Sequence, residues 1–179
     1  QWSEIPGAPP LESFAGMAED LEGRFLVGAD ARLLRYDGTT WENLFAGETA
    51  IVDVAVSGDG RIWIADNTNR FYLLEGDTVV DLTGVLSAQP NEPVMLASDS
   101  AGRLWVAMTG IDGLPWLHVR YDNQWHTVSV VPSGADRPLW VESIRDLAED
   151  DFGQLWMAGQ SNHSFLCDVT ACLRFEHRF

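Results

Sequence analysis

Two aspartates stand at matching places in matching apolar segments, Ile51-Val52-Asp53-Val54 and Ile144-Arg145-Asp146-Leu147. Facing each other across a channel, their carboxylates could bind a cation or push one another's pKa upward by like-charge repulsion; as solvated wall residues they would simply accept backbone hydrogen bonds. A second group lies in two long loops, 109–115 and 132–142. If the segments bearing these loops are neighbours, Asp112, Trp116, Arg137, Trp140 and Glu142 converge, and long loops on a rigid scaffold are where binding residues collect. Trp140 lies outside any strand pattern, so its ring could stack on a sugar or aromatic ligand, or cover a core from above. The histidines are His118, His126, His163 and His177, and none has the spacing of a metal site. His163 falls in a loop on the same side as the long loops and joins the candidates. His118 and His126 are expected on adjacent strands at the surface. No Gly-x-Ser-x-Gly elbow and no phosphate-cradling loop occurs, so the expectation is a protein without catalytic residues, cofactor or metal.

What must position these side chains is a repeat. Four times a turn ending in glycine (Gly23, Gly60, Gly102, Gly153) precedes, by three residues, a large apolar residue: Leu26, Trp63, Trp105 and Trp156. The glycines are 37, 42 and 51 residues apart. Units of about forty residues with strand alternation and no helical period are the mark of a β-propeller blade. The patterning predicts an all-β fold of four four-stranded blades. The strands fall over 14–18, 25–27, 33–36 and 41–44, then 51–56, 61–65, 70–75 and 79–82. The third unit has 94–98, 103–108, 116–121 and 125–130; the fourth has 144–149, 154–158, 164–167 and 172–176. Blade limits are accordingly 11–46, 47–86, 87–131 and 132–179. Trp63, Trp105 and Trp156 should be structural core, each filling the wedge between adjacent sheets. The small residues two positions later (Gly28, Ala65, Ala107, Ala158) should admit the neighbouring sheet.

Residues 1–10 resemble the outermost strand of the third unit, Gln124-Trp125-His126. Three arrangements are therefore open: an arc of a larger ring, a ring completed by a second copy or another chain, or a small four-bladed ring closed by the N-terminal strand.

Composition narrows the partners. The 179 residues carry 27 acidic side chains against 11 basic ones, all arginine, for a net charge of -16. Nucleic acid and anionic membranes would repel such a chain. No apolar run is long enough to span a bilayer, and the first residues show no signal-peptide pattern. Cys167 and Cys172 flank a four-residue turn. On neighbouring strands they could form a disulfide, which would imply an oxidising compartment, or they are two small core residues.

The segment Leu147-Ala148-Glu149-Asp150-Asp151-Phe152-Gly153-Gln154-Leu155-Trp156 resembles the repeat of two-component regulator propellers. Met17 to Gly28 and Leu96 to Ala107 fit it less closely, Leu26 standing where an aromatic is expected. The second unit, Val54 to Asp66 with Asn69-Arg70, is similar to an NHL-type repeat. The resemblance implies an extracytoplasmic, non-enzymatic binding or sensing module, taking a carbohydrate or other small molecule at the channel mouth or mediating assembly. The alternatives are a structural scaffold that docks other chains, including its own copies, and a propeller hydrolase or lyase.

Overall fold

The structure is a computed structural model; it describes residues 7–76, 78–86, 94–111, 115–128, 130, 144–159, 163–170 and 172–176. The N-terminal strand expected at 1–10 lies largely outside the described residues. Each predicted strand lies within two residues of an observed one.

Blade 1 consists of β1 (Gly16–Glu19), β2 (Phe25–Ala29), β3 (Arg32–Tyr36) and β4 (Trp41–Ala46). Blade 2 consists of β5 (Ile51–Val56), β6 (Ile62–Asp66), β7 (Phe71–Glu75) and β8 (Thr78–Asp81), followed by a 3-10 turn, Thr83–Val85. Blade 3 holds β9 (Met95–Ser98), β10 (Leu104–Thr109), β11 (Pro115–Tyr121) and β12 (Gln124–Val128). Blade 4 holds β13 (Ile144–Glu149), β14 (Leu155–Gly159), β15 (His163–Cys167) and β16 (Cys172–Glu176). Every sheet is an antiparallel meander in sequence order. This is a four-blade propeller arrangement, with β1, β5, β9 and β13 innermost.

The repeated turns share one geometry. Gly23, Gly60, Gly102 and Gly153 all have φ between 76° and 81°, a left-handed conformation that only glycine adopts without strain. Each turn is closed by a hydrogen bond from the glycine N–H to the carbonyl three residues earlier. In two blades the turn aspartate also anchors the tryptophan of the second strand. Asp99 accepts the Trp105 indole N–H at 2.7 Å, and Asp150 accepts that of Trp156 at 2.8 Å. In blade 2 the Trp63 indole donates instead to Ser57 Oγ, which donates to Asp59. In blade 1 Leu26 has no donor, and Arg24 Nε occupies Asp20 at 2.7 Å.

Apolar clusters join the blades in order. Leu26 and Leu33 of blade 1 meet Ile51, Val54 and Ile64 of blade 2. Trp63 and Phe71 of blade 2 meet Leu96, Val106 and Met108 of blade 3, with Trp125 edge-on to both rings. Trp105 and Leu117 of blade 3 meet Leu147, Met157 and Phe165 of blade 4. Burying a tryptophan in such a wedge is worth about 2–3 kcal/mol. Close approach depends on small residues: a Cβ on Gly28 would stand 2.6 Å from Ile51 Cγ2, and one on Gly58 would stand 2.5 Å from Gly102 Cα. Among the described residues, no strands of blades 1 and 4 pack together as the consecutive blades do.

Trp156 departs from the expected core role. Trp63 and Trp105 are fully buried, whereas Trp156 is half-buried and Ala158 is exposed. Both lie on the side of blade 4 that faces no other sheet among the described residues.

Candidate functional site

The innermost strands converge on a cavity of about 320 Å³, lined by Met17 and Glu19 of β1, Asp53 of β5, Leu96 and Ser98 of β9, and Leu147 of β13. Its aspartate is placed by a β-bulge. Between Ile51 and Asp53 the β5–β6 register slips, and β13–β14 slips identically between Ile144 and Asp146. A bulge re-aims the residue that comes after it. At the corresponding register, blade 1 has Gly16 and blade 3 has Met95.

Asp53 is half-buried and fully engaged. One carboxylate oxygen accepts the Val54 amide at 2.8 Å; the other accepts the Leu96 amide of the next blade at 2.7 Å. Burial pushes its pKa up to about 6; the two amides oppose the rise, and the charge of Asp146 adds to it. Asp53 is thus a strut between blades as well as a channel-wall acid. Asp146 is exposed and accepts the amide of Leu147 at 2.9 Å.

Trp116, expected at the channel mouth, lies on β11 against the core shared by blades 2 and 3 and stacks on His118 with ring centroids 6.2 Å apart. Asp112, Arg137, Trp140 and Glu142 lie outside the described residues, as does the His163 side chain; the His163 backbone opens β15.

His118 corrects the expectation of a surface histidine: it is 1% exposed. The register places it beside Val106 and Thr127, so it shares the face turned toward blade 2. Thr127 Oγ1 lies 3.2 Å from Nδ1, while Nε2 has no hydrogen-bond partner among the described residues. Burial lowers its pKa to about 4, so the ring is neutral at neutral pH.

Sequence reasoning also passed over Asp66, which ends β6. Its carboxylate accepts the Thr49, Thr68 and Tyr72 hydroxyls at 2.7–2.8 Å and the Thr68 and Arg70 amides. Burial alone would raise its pKa, but these donors hold it below the usual carboxylate range. Asp30 closes the corresponding turn of blade 1, holding Ser13 through amide and hydroxyl. In the second unit the signal available was an aspartate directly after the small residue of the second strand (Ala65-Asp66); in the first, Asp30 stands two residues beyond Gly28. Among the described residues, no cluster of three His, Cys, Asp or Glu side chains could hold a metal ion. Cys167 and Cys172, directly paired on β15 and β16, form a disulfide.

No family model matches the chain, and no curated protein matches it. Solved structures do. Virginiamycin B lyase from Staphylococcus aureus superposes with a TM-score of 0.70 at 13% identity, over 93% of this chain and 58% of the lyase. A gluconolactonase from Xanthomonas campestris gives 0.68 at 13% identity, over 91% of this chain and 61% of that one. YCF48 bound to a D1 peptide gives 0.61 at 16% identity, over 97% and 57%. The fold is that of a propeller. The chain spans about three fifths of the length of these proteins, and at such identities the likeness extends to fold alone.

Proposed function

We propose that this protein is a non-enzymatic, extracytoplasmic binding or sensing module whose ligand is a neutral or cationic carbohydrate, or a similar hydroxyl-rich small molecule, held at the channel. The observation that carries this reading is the acceptor-rich cavity of about 320 Å³ among the four innermost strands, with Glu19, Asp53 and Ser98 in its wall. Carboxylates and strand-edge carbonyls are acceptors. They suit a ligand that donates hydroxyl or ammonium hydrogens, and the net charge of -16 disfavours an anionic one. The Cys167–Cys172 disulfide supports an oxidising compartment, in keeping with the resemblance to regulator propellers. The expected loops 109–115 and 132–142 would supply the remaining contacts, with Trp140 as the stacking platform.

Thermal unfolding against a panel of neutral oligosaccharides, amino sugars and uronates tests this. A saturable rise in Tm with a neutral or amino sugar, lost in Trp140→Ala, is expected by linkage. No shift across the panel, or a preference for uronates, would overturn it.

A second reading, hydrolase or lyase, rests on the pKa of about 6 at Asp53, suited to proton transfer near neutrality, and on the lyase and lactonase among the structural neighbours. Turnover of a lactone or cyclic ester that disappears in Asp53→Asn would favour it over simple binding.

A further inference from the structure

The wedge between blades 2 and 3 and the wedge between blades 3 and 4 are built alike, except for one space that the second leaves open. Leu104 and Leu155 each stand two residues after a turn glycine, and their partners on the third strand are Arg120 and Cys167. Arg120 points back at blade 2. Its guanidinium lies 5.2 Å from the Trp63 ring centroid and donates to Asn123 Oδ1 at 2.7 Å. Arg61 of blade 2 donates to the same oxygen at 3.0 Å. Blade 3 thus fills this end of its wedge with a cation, Arg120, and an acceptor oxygen from its hairpin turn.

Among the described residues, blade 4 brings neither. Cys167 stands in the place of Arg120 and is tied to Cys172 by the disulfide. Beside it lies a cavity of about 440 Å³, walled by Arg103 of blade 3 and by Gly153, Cys167, Asp168 and Val169 of blade 4. The volume lies within the usual range of small-molecule sites, about 300–1,000 Å³. Turns of a meander alternate between the two ends of a blade, so the cavity lies at the end opposite the loop 109–115. It shares no described wall residue with the channel cavity.

The charged part of this wall is already oriented. Asp99 Oδ2 accepts Arg103 Nε, and the guanidinium stands 5.5 Å from the Trp105 ring centroid. Neither Nη of Arg103 has a hydrogen-bond partner among the described residues, whereas Arg61 gives one to Asn123. Pinned at Nε, the planar fork presents two Nη groups, a geometry that takes a carboxylate through two parallel bonds. Asp168 adds a negative charge to the same cavity. Its Oδ1 accepts the Thr170 amide and hydroxyl, and a carboxylate has about four acceptor sites in all. Val169 and the disulfide make the wall partly apolar. Phe152, next in sequence to Gly153, is 87% exposed and offers a ring to an apolar ligand.

We propose that this cavity is a second ligand site, separate from the channel, and that it takes a free α-amino acid with an apolar side chain. The ligand carboxylate lies on the Arg103 fork, its ammonium toward Asp168, and its side chain against Val169 and the disulfide. The ligand then supplies the acceptor oxygen and the cation that Asn123 and Arg120 supply in the preceding wedge. A zwitterion also suits a chain of net charge -16, which repels a bare carboxylate at long range.

Isothermal titration calorimetry with L-leucine, N-acetyl-L-leucine and L-leucinamide tests the proposal, since each derivative keeps only one of the two charges. The expected result is saturable binding of leucine, with both derivatives weaker by at least about tenfold. Arg103→Lys keeps the charge but not the fork and should weaken leucine by at least about tenfold. Asp168→Asn keeps an oxygen for Thr170 and removes the charge; it should weaken leucine but not N-acetyl-L-leucine. Far-UV circular dichroism checks that each variant is folded, and Asp168→Asn decides alone if Arg103→Lys is not. No saturable leucine binding up to about 10 mM overturns the proposal. So does an affinity that ignores both variants, or N-acetyl-L-leucine binding as tightly as leucine, which would assign the fork to a bare carboxylate. Neither variant alters a described residue of the channel wall, so failure here and failure in the sugar panel are read separately.

Discussion

Asp53 and His118 should impose opposite pH dependences on folding, nearly cancelling in the wild type and separating when either is replaced. Asp53 has a pKa of about 6 when folded, against an ordinary 3.8. The folded state therefore holds a proton that the unfolded chain has released. Its contribution to stability is complete below pH 3.8 and is lost as the pH rises through 6. His118 runs the other way, with a pKa of about 4 when folded against 6.5. Its contribution is complete above pH 6.5 and is lost as the pH falls through 4. From pH 5 to pH 7, two-state linkage gives a loss of about 1 kcal/mol from Asp53 and a gain of about 2 kcal/mol from His118. The wild type should then vary by no more than about 1 kcal/mol. Asp53→Asn should become more stable by about 2 kcal/mol between pH 5 and 7, and His118→Leu less stable by about 1 kcal/mol. Urea unfolding followed by tryptophan fluorescence at four pH values reads this through the midpoint, provided the m-value holds constant. Asp20, Asp30, Asp59, Asp66 and Asp150 are held below the usual carboxylate range; they act only below about pH 4 and leave the window clear. Parallel wild-type and variant profiles would refute the reasoning, because neither group could then be shifted.

Two further outcomes rest on the packing. Gly102→Ala should cost at least about 2 kcal/mol in the same unfolding assay, since φ is +78° and the Gly58 backbone lies within 2.8 Å of an added Cβ. Trp105→Ala should cost about 3–5 kcal/mol, whereas Trp156→Ala, at a half-buried ring, should cost less than half as much. Equal costs would mean that Trp156 is enclosed after all.

The sequence alone determined the four blades, because their signals are local. A left-handed turn demands glycine, a strand demands alternation, and a blade repeats both at a spacing visible without any contact map. The strands at 51–56, 144–149 and 172–176 needed no adjustment. The aspartate–tryptophan bond was equally available: Asp99 with Trp105 and Asp150 with Trp156 share a spacing of six that the turn converts into hydrogen bonds. Cys167 and Cys172 were placed on paired strands by their turn, and the fold bonds them.

Tertiary structure decided which side of each sheet has a neighbour. Trp63, Trp105 and Trp156 are equivalent in sequence, yet only the first two are fully buried and the third is half-buried. His118 looked like a surface residue because strand alternation says which residues share a face, but not whether that face is packed; blade 2 covers it. Asp53 and Asp146 looked equivalent as well. A residue 43 positions away, Leu96, makes one of them a strut and leaves the other exposed. Local geometry is written in neighbouring residues, whereas burial and pKa depend on distant segments that only the folded chain brings together.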